Sequence, residues 1–194
     1  MKHNNSIKMK RFSLILAAVV MGFIMTSCGG SVKDSVMKDV ENYFTQAEQT
    51  LASIDNADDF IAFAKSMNDR SEFMNQLEEQ YGDKEISAED EEALQTFIYD
   101  RATAYNQAEA MKCGEFLAPI MERFVNAVEA LYNNREEPDE ESFTAMFKEM
   151  DEAEDEVLKF AECENIPEEL INMFSDAEAK RAEMFDNDAE EVEE

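Results

Sequence analysis

Beyond residue 30 the chain contains only two glycines, Gly82 and Gly114, and three prolines, Pro119, Pro138 and Pro167. A fold of many short strands and tight turns needs far more of both residues, so this scarcity favours long helices. Residues of high helix propensity fill the intervals, and no segment sustains the period-two alternation of β-branched and aromatic residues that marks strands. The expectation is an all-α fold, an antiparallel up-and-down bundle of about six helices with connections of about 4 to 8 residues.

Apolar periodicity places the helices. Val36, Val40, Tyr43, Phe44, Ala47, Leu51 and Ile54 recur at threes and fours and line one face of a first helix. Asp55 and Asn56 are suited to cap a second, which carries Phe60, Phe63, Ala64, Met67, Met74 and Leu77 and ends at Tyr81 and Gly82, the glycine suiting a left-handed stop. The run Ser87-Ala-Glu-Asp90 has the form of a capping box for a third, with Leu94, Phe97, Ile98, Tyr105 and Ala108, ending near Cys113 and Gly114. A fourth is expected from about Glu115 to Tyr132 with Pro119 in its first turn, a fifth after Pro138, and a sixth after Pro167.

Two segments echo earlier ones. Phe60-Ile-Ala-Phe-Ala-Lys-Ser-Met67 aligns with Phe143-Thr-Ala-Met-Phe-Lys-Glu-Met150, and Tyr43-Phe44 with Glu48 aligns with Phe124-Val125 and Glu129. Two related three-helix units stacked in one bundle would explain both alignments, although amphipathic helices also resemble one another without common descent.

The first 27 residues differ in kind from the rest. Lys2, Lys8, Lys10 and Arg11 precede the apolar run Phe12 to Met25, which is too short for a membrane-spanning helix of about 20 residues. The run ends in Met25-Thr26-Ser27-Cys28, followed by the small residues Gly29-Gly30-Ser31. This pattern resembles a bacterial lipobox, and with its Lys-rich leader it is similar to the small acidic lipoproteins of the Bacteroidetes group. The resemblance implies removal of residues 1–27 and attachment of fatty acid, palmitate among the candidates, to the thiol and amine of Cys28. Residues 28–33 would then be anchor and flexible tether, 34–186 a single helical domain and 187–194 an acidic disordered tail. The implied location is the cell membrane or outer membrane, with the domain facing periplasm or exterior.

Charge narrows the partners. The leader contains four of the 17 basic residues and none of the 46 acidic ones, so the remainder carries a formal charge of −33. Nucleic acid is excluded as a partner by that excess, and so is electrostatic adhesion to anionic lipid. The only histidine, His3, lies in the leader. Without it the expected mature chain lacks a Ser-His-Asp triad, a His-bearing zinc site and the Glu-x-x-His motif of di-iron bundles.

The remaining candidates are few. Asp55-Asn56-Ala57-Asp58-Asp59 faintly resembles a calcium loop but lacks its glycine turn and distal glutamate, which favours helix capping, and no metal site or cofactor is expected. Arg70 and Arg101 fall on or beside apolar stripes, where an arginine can hold a ligand carboxylate, pair with a core glutamate, or extend to water. Cys113 and Cys163 are suited to a disulfide in an oxidising compartment, or to two separate buried thiols.

These features favour a membrane-anchored, non-enzymatic binding or scaffold protein acting on a protein or envelope partner. Two other classes stay open. A hydrolase or lyase of an envelope polymer needs two carboxyl groups about 5 to 9.5 Å apart across a cleft, and a divalent-cation-binding protein needs converging carboxylates.

Overall fold

The computed structural model describes residues 31–68, 71–134 and 139–186. Among the described residues the fold is all-helical, with no strand. The elements are α1 (Val32–Ser53), α2 (Ala57–Asn68), α3 (Ser71–Tyr81), α4 (Ala88–Asn133), α5 (Glu140–Leu158), a 3-10 turn (Lys159–Glu162) and α6 (Glu168–Asp186). The chain divides into two compact units, Met1–Glu109 and Ala110–Glu194, so that α4 contributes residues to each. The leader, Cys28, Arg70, Pro138 and the tail 187–194 lie outside the described residues.

Two expected boundaries are corrected. The second predicted helix is two, α2 and α3, and the register of the apolar face changes between them. Phe73 is buried while Met74, assigned to the predicted stripe, is 44% exposed. The third and fourth predicted helices are one helix of 46 residues. Gly114 and Pro119 were expected at the end of one helix and the start of the next, yet both lie inside α4. Buried Cys113, Leu117, Met121, Phe124, Val128 and Leu131 follow one another at threes and fours across them. Glycine and proline cost about 1 and 3 kcal/mol in a helix interior, whereas burying one large apolar side chain yields about 1.5–3 kcal/mol, so an uninterrupted stripe outweighs both breakers.

In the first unit α1 buries Val36, Val40, Tyr43, Phe44, Ala47 and Leu51. The Tyr43 ring stacks on Phe73 of α3 at 4.1 Å, and its hydroxyl approaches Met67 Sδ of α2 at 3.9 Å. Tyr81 donates to Asp39 Oδ2 at 2.7 Å, and burial first, then that hydrogen bond, raises the phenol above its ordinary value. Lys33 pairs with Asp90 at 2.7 Å and Glu48 with Arg101 at 3.2 Å. The pairs show direction: α1 and the first part of α4 run the same way, while α3 runs opposite to α1.

Helix starts follow local chemistry. Ser31, Asn56, Ser87 and Asp139 each accept a backbone N–H from three residues on, the N-cap geometry. Asn56 thus spends the faint calcium motif on capping α2. Gly82 does not take the left-handed backbone; a Cβ there would lie 2.5 Å from the Glu78 carbonyl oxygen, which accepts the Gly82 N–H.

In the second unit the Phe124 ring of α4 stacks on Phe174 of α6 at 5.2 Å, and Lys180 reaches Glu129 at 2.7 Å. Arg123 joins Glu149 and Glu156 of α5, and Arg181 joins Glu154 of α5 to Glu178. Asp139 lies below its ordinary value of 3.8 because the Ser142 hydroxyl and then backbone N–H groups stabilise its charge. A depressed carboxyl stabilises the fold above its unfolded pKa and loses that contribution as pH falls through the folded value. Asp139→Ala is therefore expected to lower the thermal midpoint at neutral pH, with the deficit shrinking well below pH 3.8. Paired melts of both proteins at the two pH values read this directly.

One of the two sequence echoes recurs as burial. Val36, Val40, Tyr43 and Ala47 are buried in the first unit, and at the same spacing Leu117, Met121, Phe124 and Val128 are buried in the second. In the other echo, Phe60, Ala64 and Met67 are buried, but of Phe143, Phe147 and Met150 only Met150 is. The aligned glutamates also match in partner. Glu48 meets Arg101 of the last helical segment of its unit, and Glu129 meets Lys180 in the corresponding segment of the other.

Candidate functional site

Arg101 sits on α4 four residues before Tyr105, with its side chain 19% exposed. Its Nη2 donates to Glu48 at 3.2 Å, its Nε lies 2.8 Å from Glu41 Oε2 without the alignment of a hydrogen bond, and its guanidinium lies 5.8 Å from the centre of the Phe44 ring. Two α1 carboxylates therefore surround this cation. Arg101 thus pairs with glutamate, but with the partly exposed Glu41 and Glu48 of α1 rather than with a core glutamate. Arg70 lies outside the described residues.

The second unit holds a cleft of about 180 Å³ between α4 and α6. Val125, Val128, Met173 and Ala177 form its apolar wall, and Glu129, Asp176 and Lys180 its polar side. The Lys180 ammonium is held above its ordinary value first by its hydrogen bond to Glu129 and further by the charges of Glu129 and Asp176. In the first unit a broad groove on α4 runs past Glu89, Glu92, Ala93, Thr96, Phe97 and Asp100.

Glu109 is a residue that periodicity missed. It is 1% exposed, four positions after buried Tyr105 and four before buried Cys113. Its signal was arithmetical, a carboxylate falling in phase with an apolar stripe. Glu109 lines neither the cleft nor the groove.

Cys113 and Cys163 are both buried in the second unit. A Cβ built on Gly114 would stand 3.4 Å from Pro167 Cγ, so α4 passes against the connection that carries Cys163. Among the described residues no group of three or more His, Cys, Asp or Glu is placed to hold a metal ion, and no helix is long and apolar enough to cross a membrane.

No protein-family model matches the chain, and comparison with curated proteins and with solved structures finds no match.

Proposed function

We propose that this protein is a lipid-anchored, non-enzymatic helical binding or scaffold module of the cell envelope. The observation that carries the reading is the leader: a basic start, a short apolar run and a cysteine at position 28 stand directly ahead of a strongly acidic helical body. Further support comes from the cations. Arg101, Arg123, Lys180 and Arg181 are each engaged by glutamates of neighbouring helices, an arrangement that holds helices together. The body is read as an antiparallel up-and-down bundle built from two related three-helix units, supported by the paired burial patterns and by the matched Glu48 and Glu129 pairs. On this reading the partner is a protein or envelope component, and the periplasm or exterior supplies an oxidising setting in which Cys113 and Cys163 form a disulfide. Closing that loop of about 50 residues contributes roughly 4 kcal/mol by loss of unfolded-state entropy.

Mass spectrometry of the chain extracted from membranes tests the anchor and the bridge together. The expected species begins at Cys28, carries fatty acyl chains that Cys28→Ser abolishes, and exposes the thiols of Cys113 and Cys163 to alkylation only after reduction. An unacylated chain recovered from the soluble fraction would overturn the anchor, and alkylation of both thiols without reduction would overturn the bridge.

A further inference from the structure

On the proposed reading of two related units, one packing position is met by side chains of different size, and the second unit has an open cleft there. Glu48 and Glu129 correspond in the sequence echo, and their partners Arg101 and Lys180 set the register of the facing helices. In that register Phe44 corresponds to Val125, Phe97 to Asp176 and Ile98 to Ala177. The Phe44 ring is fully buried, 5.8 Å from the Arg101 guanidinium and 5.8 Å from the Tyr105 ring. At the corresponding place in the second unit, Val125, Asp176 and Ala177 border the cleft of about 180 Å³.

We propose that this cleft is a binding site for a small arylalkylammonium ion, its ring occupying the place that Phe44 fills in the first unit and its cation meeting Asp176. Size argues for the ring: benzene fits an enclosed apolar cavity of about 150 Å³, and this cleft, open to solvent on its charged side, offers a comparable volume against an apolar wall of Val125, Val128, Met173 and Ala177. Charge argues for the cation. Glu129 and Asp176 place two carboxylates beside one ammonium, so the lining carries an excess negative charge. Lys180 is already bound to Glu129 at 2.7 Å, which directs an incoming cation to Asp176. An anionic ligand would meet two carboxylates and a lysine already engaged. The site belongs to the second unit alone and does not depend on the lipid anchor.

Titration of the full chain with phenethylammonium, followed by NMR shifts of the probe and protein, tests the site. Saturable binding is expected, with phenylacetate and ethylammonium each binding far more weakly because each lacks one half of the match. Val125→Phe, which copies the first unit, is expected to abolish binding by filling the slot. Asp176→Asn preserves the packing and is expected to weaken binding up to about fivefold, an effect that salt reproduces in the wild type; it keeps the test decisive should Val125→Phe fail to fold. Absence of saturable phenethylammonium binding, equal binding of phenylacetate, or affinity unchanged by Asp176→Asn would overturn the proposal.

Discussion

Replacing Phe44 by alanine is expected to destabilise the first unit by about 3–5 kcal/mol, the cost of removing a fully buried phenylalanine and leaving a cavity. The ring is enclosed by Tyr43 at 5.2 Å and Tyr105 at 5.8 Å, and Arg101 lies over it. A loss of that size consumes much of the 5–15 kcal/mol that holds an ordinary domain together. Urea denaturation followed by far-ultraviolet circular dichroism measures it. The corresponding Val125→Ala is expected to cost much less, because Val125 is only partly buried and already borders open space. Equal effects of the two substitutions would show that the units pack alike at this position and would remove the contrast drawn between them.

Pro119→Ala is expected to act in the opposite direction. Pro119 sits inside α4, exposed, where its ring crowds the carbonyl of Glu115 and its missing N–H leaves that carbonyl without its helical partner. Alanine restores the hydrogen bond without entering the core, so stabilisation of up to about 3 kcal/mol is expected, less whatever water at the exposed carbonyl already recovers. At roughly 2–4 °C per kcal/mol for a chain of this size, differential scanning calorimetry should register a rise of several degrees. A lower midpoint for Pro119→Ala would mean that the proline is accommodated by a local geometry the alanine helix cannot keep.

Helical class and the first helix were legible because their signals are local and repeated. The stripe Val36, Val40, Tyr43, Phe44, Ala47 and Leu51 is buried at every position, and Ile54 caps the end of α1. Continuity was not legible. Gly114 and Pro119 are the strongest breakers near the middle of the chain, and their propensities act on a few residues, whereas the stripe that overrides them spans the length of the second part of α4. Phe73 was missed for the reverse reason: a single helical phase was carried from Phe60 past a boundary where the face resets.

The candidate site was less legible than the fold. Arg101 stood out as a cation on an apolar face, but its placement beside both Glu41 and Glu48 depends on how α1 and α4 are aligned, which no local pattern encodes. The cleft beside Lys180 depends on what is small, Val125 and Ala177, and periodicity treats a small apolar residue and a large one alike. Only the comparison of one unit with the other turns that difference in size into a shape.

The start of α1 has a mechanical consequence for the proposed anchor. Ser31 caps the helix and Val32 is already helical, so two residues of the expected tether, Val32 and Lys33, belong to the folded body. From Cys28 to Ser31 a fully extended backbone reaches only about 11 Å, close to the distance over which salt screens charge. A body on so short a leash would stay at the headgroup layer rather than range across the periplasm, and any partner would have to meet it at that surface.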